Sequence, residues 1–137
     1  MIIQEARGLR NNNPLNIRKS TDVFQGEIRS EDKAFKSSKS MSYGYRAAFK
    51  VLYNYYDKYK LDTIRKMISR WAPKNENDTK AYIGVVSKKA KIGPDTLLFF
   101  KRDEMCAIVA AMSEVENFTP AVMSDVIAGW KLFKNES

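Results

Sequence analysis

At Ser42 the sequence changes period, and that switch limits the folds open to the chain more than any other feature. From Leu9 to about Phe35 it is broken by turns. Asn11-Asn12-Asn13-Pro14 reads as a turn, because asparagine tolerates left-handed backbone and proline fixes φ. Short extended pieces are expected at Leu15–Ile17, Val23–Phe24 and Glu27–Arg29, interrupted at Asp22 and Gly26, and together they read as a small antiparallel sheet. After Ser42 the apolar residues recur every three or four positions. Ser42 is the expected cap of a helix running to about Lys60, with Tyr45, Phe49, Leu52, Tyr53 and Tyr56 along one face. Asp62 or Thr63 caps a second helix carrying Ile64, Met67, Ile68 and Trp71, which must stop before Pro73. Asp78 caps a third, with Tyr82, Ile83 and Val86 aligned and Gly93-Pro94 ending it. A fourth spans about Asp103 to Glu116. Thr119-Pro120 opens a fifth that runs to about Phe133, with proline at its favoured first position. The pattern predicts a mainly α protein with a small antiparallel β-sheet.

The chain has 137 residues, the size of one ordinary domain, and it can bury roughly two-thirds of the surface its unfolded form exposes. The reading is therefore a single domain over residues 1–137, divided into a hairpin-rich lobe at about residues 9–36 and a helical lobe at about 42–133. No run approaches the roughly 18 apolar residues of a membrane helix, so no membrane insertion is expected. Met1-Ile2-Ile3-Gln4-Glu5 has no basic flank and does not read as a signal peptide. The expected location is the bacterial cytoplasm where the chain is made, or the virion or periplasm after release.

Histidine is absent and Cys106 is the single cysteine. Serine–histidine and cysteine–histidine triads, the usual general base and the usual zinc ligands are excluded together. Any catalysis must use carboxylates, hydroxyls or lysine. No calcium-loop spacing is present either, so neither metal nor other cofactor is expected. The net charge of +8, from 24 basic and 16 acidic residues, favours an anionic partner. Nucleic acid is disfavoured, because the basic residues are scattered and no glycine-rich phosphate loop or zinc pattern occurs.

The segment Arg7-Gly8-Leu9-Arg10-Asn11-Asn12-Asn13-Pro14-Leu15-Asn16-Ile17-Arg18 resembles the opening of a family of small phage and prophage proteins described as virion-associated and lysozyme-like. The resemblance continues through Phe24-Gln25-Gly26, where the family usually has Trp-Gln-Gly, and Asp32-Lys33-Ala34-Phe35. It extends to Tyr43-Gly44-Tyr45-Arg46-Ala47, Trp71-Ala72-Pro73, Glu76-Asn77-Asp78-Thr79, Tyr82 and Glu116-Asn117. Phe24 keeps an aromatic surface but loses the indole donor, and Ser38 stands near a position where the family tends to carry phenylalanine. The same order of elements is similar to that of autolysin-type glucosaminidases. The resemblance implies a lysozyme-like fold, with helices around a small hairpin, and peptidoglycan as the substrate.

Glycan cleavage needs a carboxylic acid to protonate the leaving oxygen, and a second group to stabilise or attack the sugar cation or to position water. Lytic transglycosylases need one acid/base, because the muramyl 6-hydroxyl replaces water. The catalytic candidates are Glu5, Glu27, Asp32 and Glu76. Glu5 has Ile2 and Ile3 as apolar neighbours, and Glu27 has Phe24 and Ile28. Glu116, at an expected helix C-terminus, is unfavourable for the helix dipole and reads as paired to an arginine. Asn11, Asn13 and Asn16 offer both donor and acceptor to N-acetyl groups and hydroxyls. Phe24 and Tyr43 can stack on sugar faces. The expected groove is formed by the Asn11–Asn16 turn, the Phe24–Asp32 hairpin and the Trp71–Thr79 connection, and Trp71, Asn77 and Tyr82, on or after the last of these, complete the substrate-binding candidates. The alternative is a non-catalytic wall-binding or structural module of a virion or secretion system, with phage or secretion-system structural proteins as partners.

Overall fold

The computed structural model describes residues 5–135, and within them the mainly α architecture with a small antiparallel sheet is present. A single turn, α1 (Arg7–Arg10), precedes a two-stranded sheet of β1 (Glu27–Ile28) and β2 (Ser37–Ser38). The strands pair Glu27 with Ser38 and Ile28 with Ser37. Five longer helices follow: α2 (Met41–Tyr59), α3 (Ile64–Trp71), α4 (Glu76–Ala90), α5 (Arg102–Asn117) and α6 (Met123–Phe133). None of the described helices is long and apolar enough to cross a membrane.

Several boundaries move from their expected places, each for a local reason. Ser40, not Ser42, caps α2, its hydroxyl accepting from the Tyr43 amide. Thr63 caps α3 by accepting from the Lys66 amide. Asn75 caps α4 three residues before the expected Asp78, because its side-chain oxygen takes the Asp78 amide at 2.8 Å. α4 ends at Ala90, where Lys91 turns left-handed, ahead of Gly93-Pro94. Pro120 does not open α6, which begins at Met123. The extended pieces at Leu15–Ile17 and Val23–Phe24 form no strand; a lone bridge between Arg18 and Phe35 takes their place.

α2 and α6 form the centre of the helical lobe. Phe49 and Leu52 on α2 are fully buried, as is Val126 on α6. Gly129 makes the approach possible: a Cβ there would lie 2.5 Å from the Cβ of Tyr45. The Phe49 ring meets Trp130 edge-on at 5.1 Å, and Phe100 stacks on Trp130 at 6.0 Å. Met67 and Ile68 of α3, Val86 of α4, and Met105, Ile108 and Met112 of α5 complete the core. Burial of this kind is the main stabilising term of the fold.

The hairpin lobe is held differently, by polar groups. Asn13, 2% exposed, donates to the carbonyls of Ile17 and Lys36 and accepts from the Ile17 amide, each at 2.9 Å. The buried Lys36 ammonium donates to the Asp22 carbonyl at 2.6 Å and to both Glu27 oxygens at 3.0 Å. Buried polar groups must find partners, and these two side chains tie the irregular segment to the strands. Gly26, at φ +81°, lies against the Tyr43 side chain, and Gly44 sits against the Asn12 carbonyl. Those contacts seat the hairpin on the first turns of α2.

Candidate functional site

Most sequence-selected residues have structural partners. Asp32 accepts the Arg7 guanidinium in two bonds, at 3.0 and 2.7 Å, and the amides of Ala34 and Phe35. Arg7 first, then the Ala34 amide, hold its carboxyl well below the usual carboxylate range. A group held ionised in this way cannot serve as a proton donor. Glu27 is occupied by Lys36 and by the Phe24 amide at 3.0 Å. The recess lined by Asn13, Phe24, Glu27, Lys36 and Ser38 encloses about 10 Å³, room for a water and not for a sugar ring.

Glu76 and Asn77 are exposed on the first turn of α4, where the acid favours the helix dipole. Glu5 is exposed just ahead of α1, and the Ile2 and Ile3 proposed as its apolar neighbours lie outside the described residues. Asn11 donates to Asp32 at 3.2 Å and accepts from Ser37. Tyr43 stacks under the Lys39 ammonium at 4.5 Å. Trp71 packs against Tyr55, away from the hairpin candidates. A recess of about 230 Å³ between the C-terminal end of α2 and residues 97–99 is lined by none of the selected residues.

Two selected residues do converge, on a carboxylate that sequence reasoning had paired with an arginine. Asn16 donates its amide to one oxygen of Glu116 at 2.9 Å, and the Tyr82 hydroxyl donates to the other at 3.0 Å. Among the described residues no lysine or arginine forms an ion pair with Glu116, whereas Glu114, one half-turn earlier, is paired with Lys89. Burial, then the Glu116 charge, pushes the Tyr82 hydroxyl far above its ordinary range, so it stays protonated and donating.

The local sequence explains the placement. Asn16 adopts φ 54°, a conformation asparagine accepts more readily than most residues, and this turns its side chain toward the end of α5. Its other side-chain atom, Oδ1, is shielded from solvent and accepts no hydrogen bond. Tyr82 projects from α4, which packs along α5. Next door, Asn117 anchors α5 by donating to the carbonyls of Pro14 at 2.8 Å and Ser113 at 2.9 Å. The sequence signal for Glu116 was its position: an acid in the last helical turn opposes the dipole.

The result is a half-buried carboxylate, fixed in plane by two neutral donors at the junction of the hairpin, α4 and α5. Such a group can exchange a proton with a bound oxygen without first breaking an ion pair. No family model matches the chain. It is 41% identical over 121 residues to Protein P5 of Pseudoalteromonas phage PM2, an alignment covering 85% of this chain and 74% of the phage protein.

Proposed function

This chain belongs to the family of Protein P5 of Pseudoalteromonas phage PM2, and on that premise we propose that it cleaves peptidoglycan glycan strands with Glu116 as a single acid/base in a lysozyme-like fold. The supporting observation is that Glu116 is gripped by the neutral donors Asn16 and Tyr82 and, among the described residues, by no cation. A phage-borne protein meets the bacterial wall at infection and at lysis, and the net charge of +8 draws it to anionic wall polymer.

One acid/base suits an internal displacement. Glu116 protonates the glycosidic oxygen, the bond from the muramyl C1 to that oxygen breaks, and the muramyl 6-hydroxyl attacks C1. The proton of that hydroxyl passes to Glu116, which regenerates the acid and leaves an anhydromuramyl end with no water consumed. Asn16 and Tyr82 hold the carboxyl plane. Proton transfer of this kind is worth about 10²–10⁴ in rate.

The second reading is a virion module that binds the wall without cutting it. It is favoured by the ion pairs that occupy Glu27 and Asp32. Incubation with purified sacculi and mass spectrometry of the soluble products separates the two. Products one water lighter than hydrolysis products, abolished by Glu116→Gln, support the enzyme. Ordinary reducing ends would overturn the internal displacement, and retention on sacculi with nothing released would establish the binding module.

A further inference from the structure

We infer that the recess between the C-terminal end of α2 and residues 97–99 binds an aliphatic primary ammonium, the side-chain amine of a diamino acid in a wall peptide. The choice of a wall peptide as its source rests on the function proposed above. The recess encloses about 230 Å³ and is lined by Tyr56, Asp57, Asp62, Leu97, Leu98 and Phe99, with Lys60 on its rim. That volume admits a side chain or a small molecule. Its apolar wall is an extended stretch in which side chains alternate: Leu98 and Phe100 are buried, whereas Leu97 and Phe99 are 52% and 60% exposed. Two large apolar side chains thus stand at the mouth, outside the core. Their backbone is fixed. The Leu98 amide donates to the Asp62 carbonyl at 2.8 Å, and Glu104 accepts from the amides of Phe99 and Lys101 at 3.1 and 3.0 Å.

Charge selects the occupant. The chain carries +8 overall, yet the lining of the recess holds two carboxylates and one ammonium. Lys60 directs that ammonium to the main-chain carbonyl of Asp57 at 2.9 Å. Among the described residues neither Lys60 nor Asp57 forms an ion pair, and Asp62 meets Lys66 through one oxygen at 3.1 Å. Carboxylate oxygens therefore stand free to accept, beside the rings of Tyr56 and Phe99 and the aliphatic Leu97. A cation on an alkyl stem suits all three: the stem covers the leucines, the head takes the carboxylates, and the rings attract it as well. A neutral sugar leaves that charge unanswered, and an anion is repelled by it. The recess lies by the N-terminal end of α5 and Glu116 in its last turn, so the helix separates them by roughly 20 Å. An extended chain advances about 3.3–3.6 Å per residue, so a stem peptide on the bound strand, with a long amine side chain, spans that gap.

Calorimetric titration of the full chain with the tripeptide L-Ala-γ-D-Glu-L-Lys tests this, against the same peptide acetylated on its side-chain amine. Acetylation removes the charge and is expected to weaken binding about tenfold. Asp57→Asn is expected to weaken binding of the free peptide to the same degree with Tm unchanged, and Phe99→Ala to weaken it several-fold. Asp95→Asn alters an exposed acid outside the recess, paired with Arg65, and should leave the affinity as it was. Equal binding of the two peptides, or unchanged binding by Asp57→Asn, would overturn the inference. Self-association in the ultracentrifuge that Asp57→Asn abolishes, with no peptide bound by the unmodified protein, would overturn it in favour of a lysine from a second copy. If the unmodified protein binds the tripeptide yet releases nothing from sacculi, the cleavage reading fails while the ammonium site stands.

Discussion

The side-chain amide of Asn117 donates to the Pro14 carbonyl at 2.8 Å, joining positions 103 residues apart. The same amide group donates to Ser113, and its Oδ1 faces Gly8 so closely that a Cβ there would come within 2.3 Å. Asn117→Ala leaves two carbonyls without this donor, and an unsatisfied buried group costs about 1–3 kcal/mol. The expected loss is about 3 kcal/mol, read as a lower urea midpoint, and Gly8→Ala is expected to weaken the same junction.

Asp32 makes stability acid-sensitive. Its carboxyl is held below the usual range by Arg7 and by the Ala34 amide, so its contribution is present above the unfolded value of about 3.9. Below that pH the unfolded chain binds a proton that the folded chain refuses, and stability falls as pH drops toward the folded value. Asp32→Asn should flatten this acid limb in denaturation measured across pH. Asp95, lowered in the same direction by Arg65, retains part of it.

Tyr82 acts at the opposite end of the scale. Burial, then the charge of Glu116, raises its pKa, so its contribution is complete below the unfolded value of about 10 and is lost as pH rises beyond it. Tyr82→Phe should make the alkaline limb shallower. It also removes one of the two donors that fix Glu116, so turnover on sacculi is expected to fall with little change in binding. Equal turnover at neutral pH would remove Tyr82 from the site.

Phe49 tests the helical core. It is fully buried and packed edge-on against Trp130, and Phe49→Ala is expected to cost about 3–5 kcal/mol. Gly129→Ala is a subtler probe: the added methyl group meets the Tyr45 Cβ, forcing α2 and α6 apart. Thermal unfolding should show both variants less stable, and Phe49→Ala the more so.

The helical half was legible because 3.6-residue periodicity survives any tertiary arrangement: Phe49, Leu52, Ile64, Ile68 and Val86 are all core. The hairpin was legible only as turns. Its strands are two residues each, and buried Lys36 and Asn13 replace the alternating apolar residues that betray a sheet. The carboxylates were harder still. Asp32 and Glu27 looked reactive because their cations, Arg7 and Lys36, are 25 and 9 positions away, a pairing that spacing does not reveal. Glu116 looked paired to an arginine because its actual donors, Asn16 and Tyr82, carry no charge and so leave no signature in a sequence. Asn16 and Tyr82 themselves were selected as sugar ligands, and the fold places both against a carboxylate.

The grip on Glu116 also carries a timing. Asn16 and Glu116 stand 100 positions apart, so a nascent chain displays the whole hairpin lobe long before its carboxylate partner has left the ribosome. Until α5 emerges, Asn16 and Pro14 have nothing to hold, and once it does, Glu116 and Asn117 arrive together on consecutive residues. Both contacts to the hairpin lobe, through Glu116 and Asn117, are therefore made in one event. Truncated chains that end before α5 lack both partners of the hairpin lobe, Glu116 and Asn117.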